Sequence, residues 1–432
     1  MQAGFLDVLR QRGFLQRVTD DETADKPLER LLASKPVTGY VGFDPTASSF
    51  HVGNLVAIMG LVHLQRCGHR PIAIVGGGTG MVGDPSGKTE MRRVLDRATI
   101  EANVRSLRAQ LARYIRLAPE GEGMSGGDPR STDGLVLDNA SWLLSLNYIQ
   151  FLRDVGRHFS VNRMLAAESV KLRLESESGL SFLEFNYSLL QAYDFLVLHE
   201  RYGCELQMGG SDQWGNIVAG IDLIRRVRGA RAHGVTFPLV TTATGAKMGK
   251  TVEGAVWLDA SRTSPYAFYQ YWINADDRDV GRFLRLFTLL EISEIEELER
   301  LEGAEARIAK ERLAFEATAL THGKASAEEA REASRALFGA GADAGTGAAV
   351  PTHAVSAGDL ERGIPAVNLF AECGLCESRN AARRLARQGG LYVHRQPIAE
   401  DRVLGPGDLR DGTILLRAGK KKYARIVVRE GG

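Results

Sequence analysis

The sequence predicts an α/β protein in which a mainly parallel sheet is followed by a helical region and by a small α/β unit. Three observations support this fold class. Short apolar runs of β-type residues alternate with helically spaced apolar residues up to about Leu258, as in repeated βαβ units. Ala, Glu, Leu and Arg dominate residues 265–337. A Gly- and Ala-rich stretch at 339–349 then separates the last part of the chain, as a flexible linker would.

Five short runs are predicted to be strands of the sheet. They are residues 37–43, 71–76, 135–138, 205–208 and 235–240. Ligands in folds of this type bind beyond the carboxyl ends of the strands, so the side chains that follow these runs are candidates for function. The Gly-, Ser- and Pro-rich residues 121–134 are expected to form a surface insertion before the third strand.

The composition is that of a globular protein with more than one domain. Of 432 residues, 44% are hydrophobic and 25% are charged. Four cysteines are too few for a disulfide-stabilised fold, and the pair Cys373 and Cys376 lacks the second pair that a zinc site needs, so no metal is predicted. Asp7 and Arg10 interrupt the apolar core of any signal peptide, and no stretch approaches the roughly 18 apolar residues of a membrane span. We therefore expect a cytoplasmic protein with no membrane association.

Positive charge is concentrated at the C-terminal end. Residues 361–432 contain 14 Lys and Arg against 8 Asp and Glu, a net charge of +6. The preceding 360 residues contain 40 against 45, a net charge of −5. A basic end on a mildly acidic body predicts a nucleic-acid contact that is localised to the C-terminal unit.

Residues 78–83 match the GxGxxG pattern of dinucleotide sites and directly follow the second predicted strand. The match is weak because residues 84–88 (Asp-Pro-Ser-Gly-Lys) form a turn, where the dinucleotide pattern requires a helix to begin. A Walker A phosphate loop also fits poorly, since Val82 stands where its first glycine should be. The simplest interpretation is a tight turn at the sheet edge whose glycine backbone can approach a ligand.

Two segments have the chemistry of a phosphate site. Residues 51–54 (His-Val-Gly-Asn) precede a predicted helix, and donor groups at a helix N-terminus favour anions. A single histidine there can equally be a cap or a surface residue. Residues 247–251 (Lys-Met-Gly-Lys-Thr) place two ammonium groups three residues apart, which suits a triphosphate but also a solvated hairpin tip.

A polar stripe marks one face of a helix predicted over residues 181–200. Tyr187, Gln191 and Asp194 fall at positions i, i+4 and i+7 and therefore share a face. That face is either solvent-exposed or the wall of a pocket. Because none of its three polar groups is Lys or Arg, the pocket is slightly favoured.

A second set of polar side chains follows the fourth predicted strand. Gln207, Asp212 and Gln213 lie at the end of this strand and just beyond its glycine turn. They are therefore expected at the carboxyl edge of the sheet, where ligands of this fold bind.

Six motifs, including those above, occur in one order along the chain. They are Tyr40-Val-Gly-Phe-Asp44-Pro-Thr46-Ala, His51-Val-Gly-Asn54, Gly80-Met-Val-Gly-Asp84-Pro-Ser-Gly-Lys88, Glu184-Phe-Asn-Tyr187-Ser-Leu-Leu-Gln191-Ala-Tyr-Asp194, Gly210-Ser-Asp212-Gln213-Trp-Gly-Asn and Lys247-Met-Gly-Lys250-Thr251. This series closely resembles bacterial tyrosyl-tRNA synthetases, from about residue 6 to residue 429. Six motifs in register are far more specific than any one of them.

The resemblance implies a class I synthetase that forms a homodimer. It implies a Rossmann-like parallel-sheet catalytic domain at 1–260, an all-α anticodon-binding domain at 261–338, a flexible linker at 339–360 and a small α/β RNA-binding domain at 361–432. Residues 51–54 match the first class I signature, which usually ends in His and ends in Asn54 here. Residues 247–251 match the second, with Gly249 and Thr251 where the general class I pattern has Ser.

The resemblance also implies tyrosine, ATP and tRNA as substrates, with Mg²⁺ carried by ATP and no tightly bound cofactor. The residues expected to act on the phosphates are His51, Asn54, Lys88, Lys247, Lys250 and Thr251. Those expected to bind ATP are Gly42, Asp44, His51, Gly53, Asn54, Gly210, Asp212, Gln213, Lys247 and Lys250. Those expected to bind tyrosine are Tyr40, Asp84, Asn139, Tyr187, Gln191, Asp194 and Gln207.

Within the tyrosine set, the resemblance implies that Tyr40 and Asp194 hydrogen-bond the phenol of the substrate. The side chains implied to hold its amino-group end are Asp84, Asn139, Tyr187 and Gln191. The last domain looks like a small RNA-binding module that is shared with a ribosomal protein. The residues expected to contact tRNA are Arg379, Arg383 and Arg387, which share a helical face, and Lys420, Lys421 and Lys422.

Two other functions are compatible with parts of the sequence. A cytidylyltransferase uses a similar histidine signature, but it gives no reason for the polar face at 187–194 or for the basic C-terminal unit. An inactive relative that only binds RNA would not need both Lys247 and Lys250. Tyrosine-dependent exchange of pyrophosphate into ATP distinguishes the three.

Overall fold

The computed structural model describes residues 4–19, 26–84, 96–119, 131–175, 179–245, 248–251, 254–338, 352–394, 396–410, 412–419 and 422–429. The chain forms two compact units. The first contains Met1–Arg262 and Ala275–Leu313, and the second contains Thr263–Asn274 and Ala314–Gly432. These units do not coincide with the four predicted ranges, so the division at 260, 338 and 360 stays a prediction.

The first unit is built on a six-stranded sheet, as the alternating pattern predicted. Its strands are β1 (Arg17–Val18), β2 (Thr38–Phe43), β3 (Arg70–Val75), β4 (Leu135–Asp138), β5 (Cys204–Gly210) and β6 (His233–Phe237), and the short pair β7 (Lys250–Thr251) and β8 (Gly254–Ala255) lies apart from them. The spatial order is β1-β6-β5-β2-β3-β4, and all neighbours are parallel except β1 and β6. Every residue of β3 is buried, which explains its continuous apolar run.

Helices follow the strands along the chain, and those within Thr263–Asn274 and after Ala314 belong to the second unit. Up to residue 338 they are α1 (Phe5–Gln11), α2 (Pro27–Ser34), α3 (Leu55–Arg66), α4 (Arg97–Leu111), α5 (Ala140–Leu143), α6 (Tyr148–Asp154), α7 (Val161–Ala166), α8 (Glu168–Leu174), α9 (Phe182–Phe185), α10 (Tyr187–Tyr202), α11 (Trp214–Arg228), α12 (Pro265–Ile273), α13 (Asp277–Phe287), α14 (Ile292–Glu299), α15 (Ala306–His322) and α16 (Lys324–Phe338). The helix predicted over 181–200 is two helices, because the Ser181 and Glu184 capping box starts α9 and Asn186 ends it before α10 begins. No helix in the described part of the chain is long and apolar enough to cross a membrane.

The strand order creates a crevice at one point of the sheet edge. From β2 the chain moves to β3 and β4 on one side, and it then returns to β5 and β6 on the other. The connections that follow β2 and β5 therefore diverge at their carboxyl ends. Such a switch point is where ligands bind in open α/β sheets.

The second unit contains a five-stranded sheet with its own core. Its strands are β9 (Thr352–Ser356), β10 (Ile364–Pro365), β11 (Leu391–Val393), β12 (Gln396–Pro397), β13 (Val403–Leu404), β14 (Thr413–Ala418) and β15 (Lys422–Arg429), and its helices after residue 350 are α17 (Ala357–Arg362), α18 (Ala366–Glu372) and α19 (Arg379–Arg387). Five of these seven strands form the sheet, in the order β12-β11-β14-β15-β9, and β10 pairs with β13 in a separate two-stranded sheet. Buried side chains from α18, α19 and the sheet form one cluster, which includes Phe370, Leu391, Leu416 and Ile426.

The prediction of a flexible linker at 339–360 is wrong for its described part. Thr352–Ser356 is strand β9, which pairs in parallel with β15, and Ala357–Arg362 is helix α17. Val355 and Leu360 are buried in the cluster above, so these residues belong to the domain and not to its tether. Residues 339–351 lie outside the described residues.

Candidate active site

A cavity of about 530 Å³ opens beyond the carboxyl ends of β2 and β5. Fifteen of the residues predicted to bind tyrosine or ATP line this cavity. They are Tyr40, Gly42, Asp44, His51, Gly53, Asn54, Asp84, Asn139, Tyr187, Gln191, Asp194, Gln207, Gly210, Asp212 and Gln213. The predicted shared face of Tyr187, Gln191 and Asp194 is therefore confirmed as a pocket wall.

Asp194 is the buried carboxylate of this cavity. It projects from α10 and is 4% exposed. Its Oδ1 accepts a hydrogen bond from Trp142 Nε1 at 2.7 Å, and its Oδ2 accepts one from Asn139 Nδ2 at 2.9 Å. Burial disfavours the charged form and raises the pKa of Asp194 to about 7, although the two hydrogen bonds oppose this shift.

Two polar atoms near Asp194 lack a hydrogen-bond partner within the described residues. They are Tyr40 Oη, on β2, and Gln207 Oε1, on β5, and both residues are only 2% exposed. Burial, and then the nearby Asp194, raise the pKa of Tyr40 well above its ordinary value. Because buried polar atoms are nearly always paired, these two are positioned for a ligand.

Asn139 connects the turn after β3 with Asp194. Its Oδ1 accepts a hydrogen bond from the Gly78 backbone nitrogen at 2.8 Å, and its Nδ2 also lies 3.0 Å from Thr79 Oγ1. A Cβ atom on Gly77 would stand 2.1 Å from Asp138 Oδ1, so any other residue there would displace that carboxylate. A 3₁₀ turn, Thr79–Met81, follows the glycines where a dinucleotide site would need a helix, so this turn shapes a pocket and does not form that fingerprint.

A second polar network starts at Gln191, one turn before Asp194 on α10. Gln213 Nε2 donates to Asp84 Oδ2 at 2.8 Å, and Gln191 Nε2 donates to Gln213 Oε1 at 3.3 Å. Asn216 Nδ2 donates to Gln191 Oε1 at 3.1 Å. These bonds fix three amide groups and one carboxylate in a single arrangement beside the cavity. The hydroxyl of Tyr187 lies 3.5 Å from Asp44 Oδ1.

The two predicted phosphate segments meet at the mouth of the cavity. Asn54 Oδ1 accepts a hydrogen bond from the His51 backbone nitrogen at 3.0 Å, at the start of a 3₁₀ turn that leads into α3. Met248 and Gly249 lie against this turn, since a Cβ atom on Gly249 would stand 2.9 Å from the Gly53 nitrogen. Gly249 also has φ +76°, a conformation that favours glycine.

Parts of the predicted site cannot be placed. Lys88 and Lys247 lie outside the described residues. Lys250 and Thr251 form β7, but only their backbone is described. Among the residues that the structure describes, no group of three or more His, Cys, Asp or Glu side chains could hold a metal ion.

Two residues of the site were missed by the sequence analysis. Thr79 lines the cavity, and Trp142 donates a hydrogen bond to Asp194. The sequence contained one signal for Trp142, which follows Asn139 by three residues. A tryptophan that is buried there needs an acceptor for its indole nitrogen. The acceptor itself, 52 residues later in the chain, could be identified only from the fold.

The basic residues predicted to bind tRNA lie in the second unit. Arg379, Arg383 and Arg387 are exposed on α19, as is Arg384. Arg387 pairs with Glu400 at 2.9 Å, and both side chains are largely exposed. Lys420 and Lys421 lie outside the described residues, while Lys422 begins β15.

Comparison with known proteins identifies the family. Residues 32–339 match the class I tRNA synthetases (W and Y). A tyrosine–tRNA ligase of Desulfatibacillum aliphaticivorans is 54% identical over 446 aligned positions, covering 100% of both chains. One of Rhizobium meliloti is 49% identical and covers 98% of both. The chain belongs to the tyrosine–tRNA ligases. Its predicted membership of the bacterial tyrosyl-tRNA synthetases is confirmed, and the cytidylyltransferase alternative is excluded.

A solved structure agrees with this assignment. The C-terminally truncated mitochondrial tyrosyl-tRNA synthetase of Aspergillus nidulans is 30% identical, with a TM-score of 0.66, and the match covers 78% of this chain and 95% of that one. The predicted fold class, a class I catalytic sheet followed by helices and a C-terminal α/β sheet, is confirmed. The tyrosine–tRNA ligases are ATP-dependent aminoacyl-tRNA ligases, with tyrosine, ATP and tRNA as substrates.

Proposed function

We propose that the cavity of the first unit forms tyrosyl-adenylate from tyrosine and ATP, and that the chain then transfers tyrosine to the terminal ribose of its tRNA. One observation carries this proposal. The closed end of the cavity presents Asp194, held by two donors, and the buried hydroxyl of Tyr40 without a partner in the described residues. A phenol can donate to the first group and accept from the second, whereas a phenyl ring can do neither.

A second group of cavity residues fits the amino-acid end of tyrosine. Asp84 supplies a carboxylate for the ammonium group, with Tyr187 and Gln191 as neighbours along the cavity. Gln207 also lines the cavity, and its buried side-chain oxygen has no donor within the described residues. The described hydrogen bonds of Asn139 go to Gly78, Thr79 and Asp194, so we assign it to the orientation of Asp194 and not to the amino group.

The chemical step requires alignment and no protein nucleophile. A tyrosine carboxylate oxygen attacks the α-phosphorus of ATP, and the bond from that phosphorus to the bridging oxygen breaks. Pyrophosphate leaves with the electron pair, together with the Mg²⁺ that accompanied ATP. Donors at the N-terminus of α3, His51 and Asn54 with the Gly53 backbone, would stabilise charge on the phosphates, and Lys88, Lys247, Lys250 and Thr251 would add to them. Gly42, Asp44, Gly210, Asp212 and Gln213 would surround the nucleoside.

The C-terminal unit would contact tRNA through α19. Its exposed arginines lie on one face, and residues 361–432 carry a net charge of +6 against −5 for the rest. Lys420, Lys421 and Lys422 are close in sequence to the β14–β15 turn and would extend this contact. Because phosphate contacts release counterions, binding should weaken steeply with salt. We place this chemistry in the cytoplasm, where ATP and tRNA are available.

A homodimer is supported by an exposed apolar surface on α5 to α9. Phe182 is 71% exposed and Ile149 is 69% exposed. The exposed apolar residues of this surface are Leu144, Tyr148, Ile149, Leu152, Val161, Leu165, Leu174, Phe182 and Leu183. Patches of this kind mark protein interfaces. Phe182→Asp should yield monomers by sedimentation, whereas Ile308→Asp, an exposed apolar site on α15, should leave the dimer intact.

Exchange of labelled pyrophosphate into ATP tests the catalytic proposal. The purified chain should catalyse exchange that depends on tyrosine and that phenylalanine supports poorly. An RNA-binding protein without catalytic activity would give none. Exchange at the same rate without tyrosine would contradict the assignment of the cavity.

A further inference from the structure

Helix α13 places a buried carboxylate against the loop that leads into the second signature segment. Asp279 lies in the first turn of α13, and its side chain is 4% exposed. Its Oδ2 accepts a hydrogen bond from the Ala243 backbone nitrogen at 2.7 Å. Ala243 is itself exposed, so this carboxylate holds the loop through its backbone.

Arg282, one turn further along α13, completes the contact. One of its terminal nitrogens donates to Asp279 Oδ1 at 2.8 Å, and the same nitrogen donates to the Thr241 carbonyl oxygen. Asp279 and Arg282 thus bind the backbone on both sides of Thr242. Hydrogen bonds with one ionised partner are stronger than those between neutral groups, so the loop is held firmly at this point.

The held loop is a hairpin with two arms. The incoming arm, residues 238–241, leaves β6 and lines the cavity. The turn is closed by a hydrogen bond from the Gly245 nitrogen to the Thr242 oxygen at 2.8 Å. The outgoing arm begins at Met248, whose nitrogen donates to the Val240 oxygen at 3.3 Å, and it continues into β7.

The outgoing arm is packed too closely to move independently. A Cβ atom on Gly249 would stand 2.9 Å from the Gly53 nitrogen and 3.1 Å from Val52 Cβ, and the Gly249 oxygen accepts a hydrogen bond from the Val256 nitrogen at 2.8 Å. Because the Met248 nitrogen is hydrogen-bonded to the Val240 oxygen, a shift of the incoming arm would also displace residues 248–251. The contacts of α13 and the backbone of the second signature segment are parts of one connected structure.

We propose that Asp279 and Arg282 are positioning residues for adenylate formation, because they hold residues 241–243 and, through the bond between Val240 and Met248, the backbone of residues 248–251, part of the segment whose lysines would act on ATP. This inference rests on the function proposed above, which assigns those lysines to ATP. Neither Asp279 nor Arg282 lines the cavity, so they act on the substrate only through the hairpin.

Asp279→Ala tests the proposal most directly. A misplacement of about 1 Å can cost roughly 100-fold in rate, so we expect adenylate formation to slow by roughly 10- to 100-fold. The dissociation constant for tyrosine should stay within about twofold, since the tyrosine pocket does not touch the hairpin turn. Asp279→Asn keeps an acceptor for Ala243 and should restore part of the rate, and Arg282→Gln, at a half-exposed site, should show a loss of the same kind.

A mutant cycle with Lys250→Ala separates positioning from general stability. If Asp279 acts through the lysine segment, its substitution should cost much less in the Lys250→Ala background than in the wild type. The matched control is Glu299→Gln, which breaks an ion pair of 2.6 Å with Arg285 on the same helix without touching the hairpin. It should leave the exchange rate unchanged.

Three results would overturn the inference. One is a normal rate of adenylate formation in folded Asp279→Ala. Another is an equal loss in both backgrounds, which would make Asp279 a purely structural residue. The third is a loss of tyrosine affinity equal to the loss of rate. Absence of tyrosine-dependent exchange in the wild type would instead refute the function on which the inference rests, whatever the Asp279 variants did.

Discussion

The indole nitrogen of Trp142 donates a hydrogen bond to Asp194 Oδ1 at 2.7 Å, and both side chains are buried. The other oxygen of Asp194 accepts from Asn139 at 2.9 Å. Both donors come from α5 and the residue that precedes it, so one short helix fixes the orientation of the carboxylate before substrate arrives. Such preorganisation reduces the cost of ordering the site on binding.

Trp142→Phe should therefore weaken tyrosine binding. A hydrogen bond to a charged group contributes about 1.5–3 kcal/mol, so the KM for tyrosine in pyrophosphate exchange should rise by roughly tenfold or more. The KM for ATP should change little. Trp272→Phe, at a buried indole of the second unit, is the matched control and should leave both values unchanged. An unaltered KM for tyrosine in Trp142→Phe would show that Asp194 does not need this donor.

Tyr40→Phe should reduce the discrimination between tyrosine and phenylalanine. The Tyr40 hydroxyl is buried without a partner in the described residues, so tyrosine supplies its partner and phenylalanine leaves it unpaired. That unpaired group costs about 1–3 kcal/mol, and its removal should lower the ratio of kcat/KM values by roughly tenfold. The kcat/KM for tyrosine should fall, and the kcat/KM for phenylalanine should rise slightly. A ratio that stayed constant would place Tyr40 away from the phenol.

The raised pKa of Asp194 predicts a pH dependence of stability in the substrate-free protein. Its folded pKa of about 7 lies above the ordinary value of 3.8, so the folded state binds the proton more tightly than the unfolded state. The contribution of this proton to the free energy of unfolding is fully present below about pH 4 and is lost as pH rises through 7. The unfolding free energy of the wild type, relative to Asp194→Asn, should fall across this range in urea titrations and level off above it. A difference that is independent of pH would contradict the raised pKa.

The sequence predicts the site better than it predicts the contacts within the site. Strand ends and helical spacing placed Gln207 and Asp194 around one cavity, because backbone periodicity determines which side chains share an edge or a face, whereas Tyr40 was predicted only through the family resemblance. The partner of Asp194 was not predictable in this way, since Trp142 comes from a different connection after β4.

The linker prediction failed at residues 352–360 for a related reason. Strand β9 is short and of mixed polarity, and its pairing with β15, about 70 residues away, makes it a strand.

Lys250→Ala should slow adenylate formation with little effect on tyrosine affinity. The backbone of this segment lies against the first signature at Gly53. Charge on the phosphates grows toward the transition state, so loss of an ammonium group should lower kcat more than it raises the tyrosine KM. We expect a loss of roughly 100-fold in single-turnover adenylate formation. If tyrosine binding fell while the rate held, the assignment of residues 247–251 to ATP would be wrong.

Removal of the chain after Ala349 should separate activation from charging. All the residues assigned to tyrosine and ATP precede residue 252, and the core of the C-terminal sheet is formed by residues between Val355 and Val428, so the cut leaves the catalytic sheet complete. The shortened chain should form tyrosyl-adenylate at close to the full-length rate. It should charge tRNA poorly, because it loses residues of net charge +5 (14 Lys and Arg against 9 Asp and Glu) and keeps a body of net charge −4 (40 against 44). Its residual RNA binding should also depend less steeply on salt, since fewer phosphates are neutralised.

Abolished adenylate formation would mean that the C-terminal unit supports the catalytic fold. Unchanged charging would mean that the arginines of α19 are not the RNA contact, and either result would refute this division between the two ends of the chain.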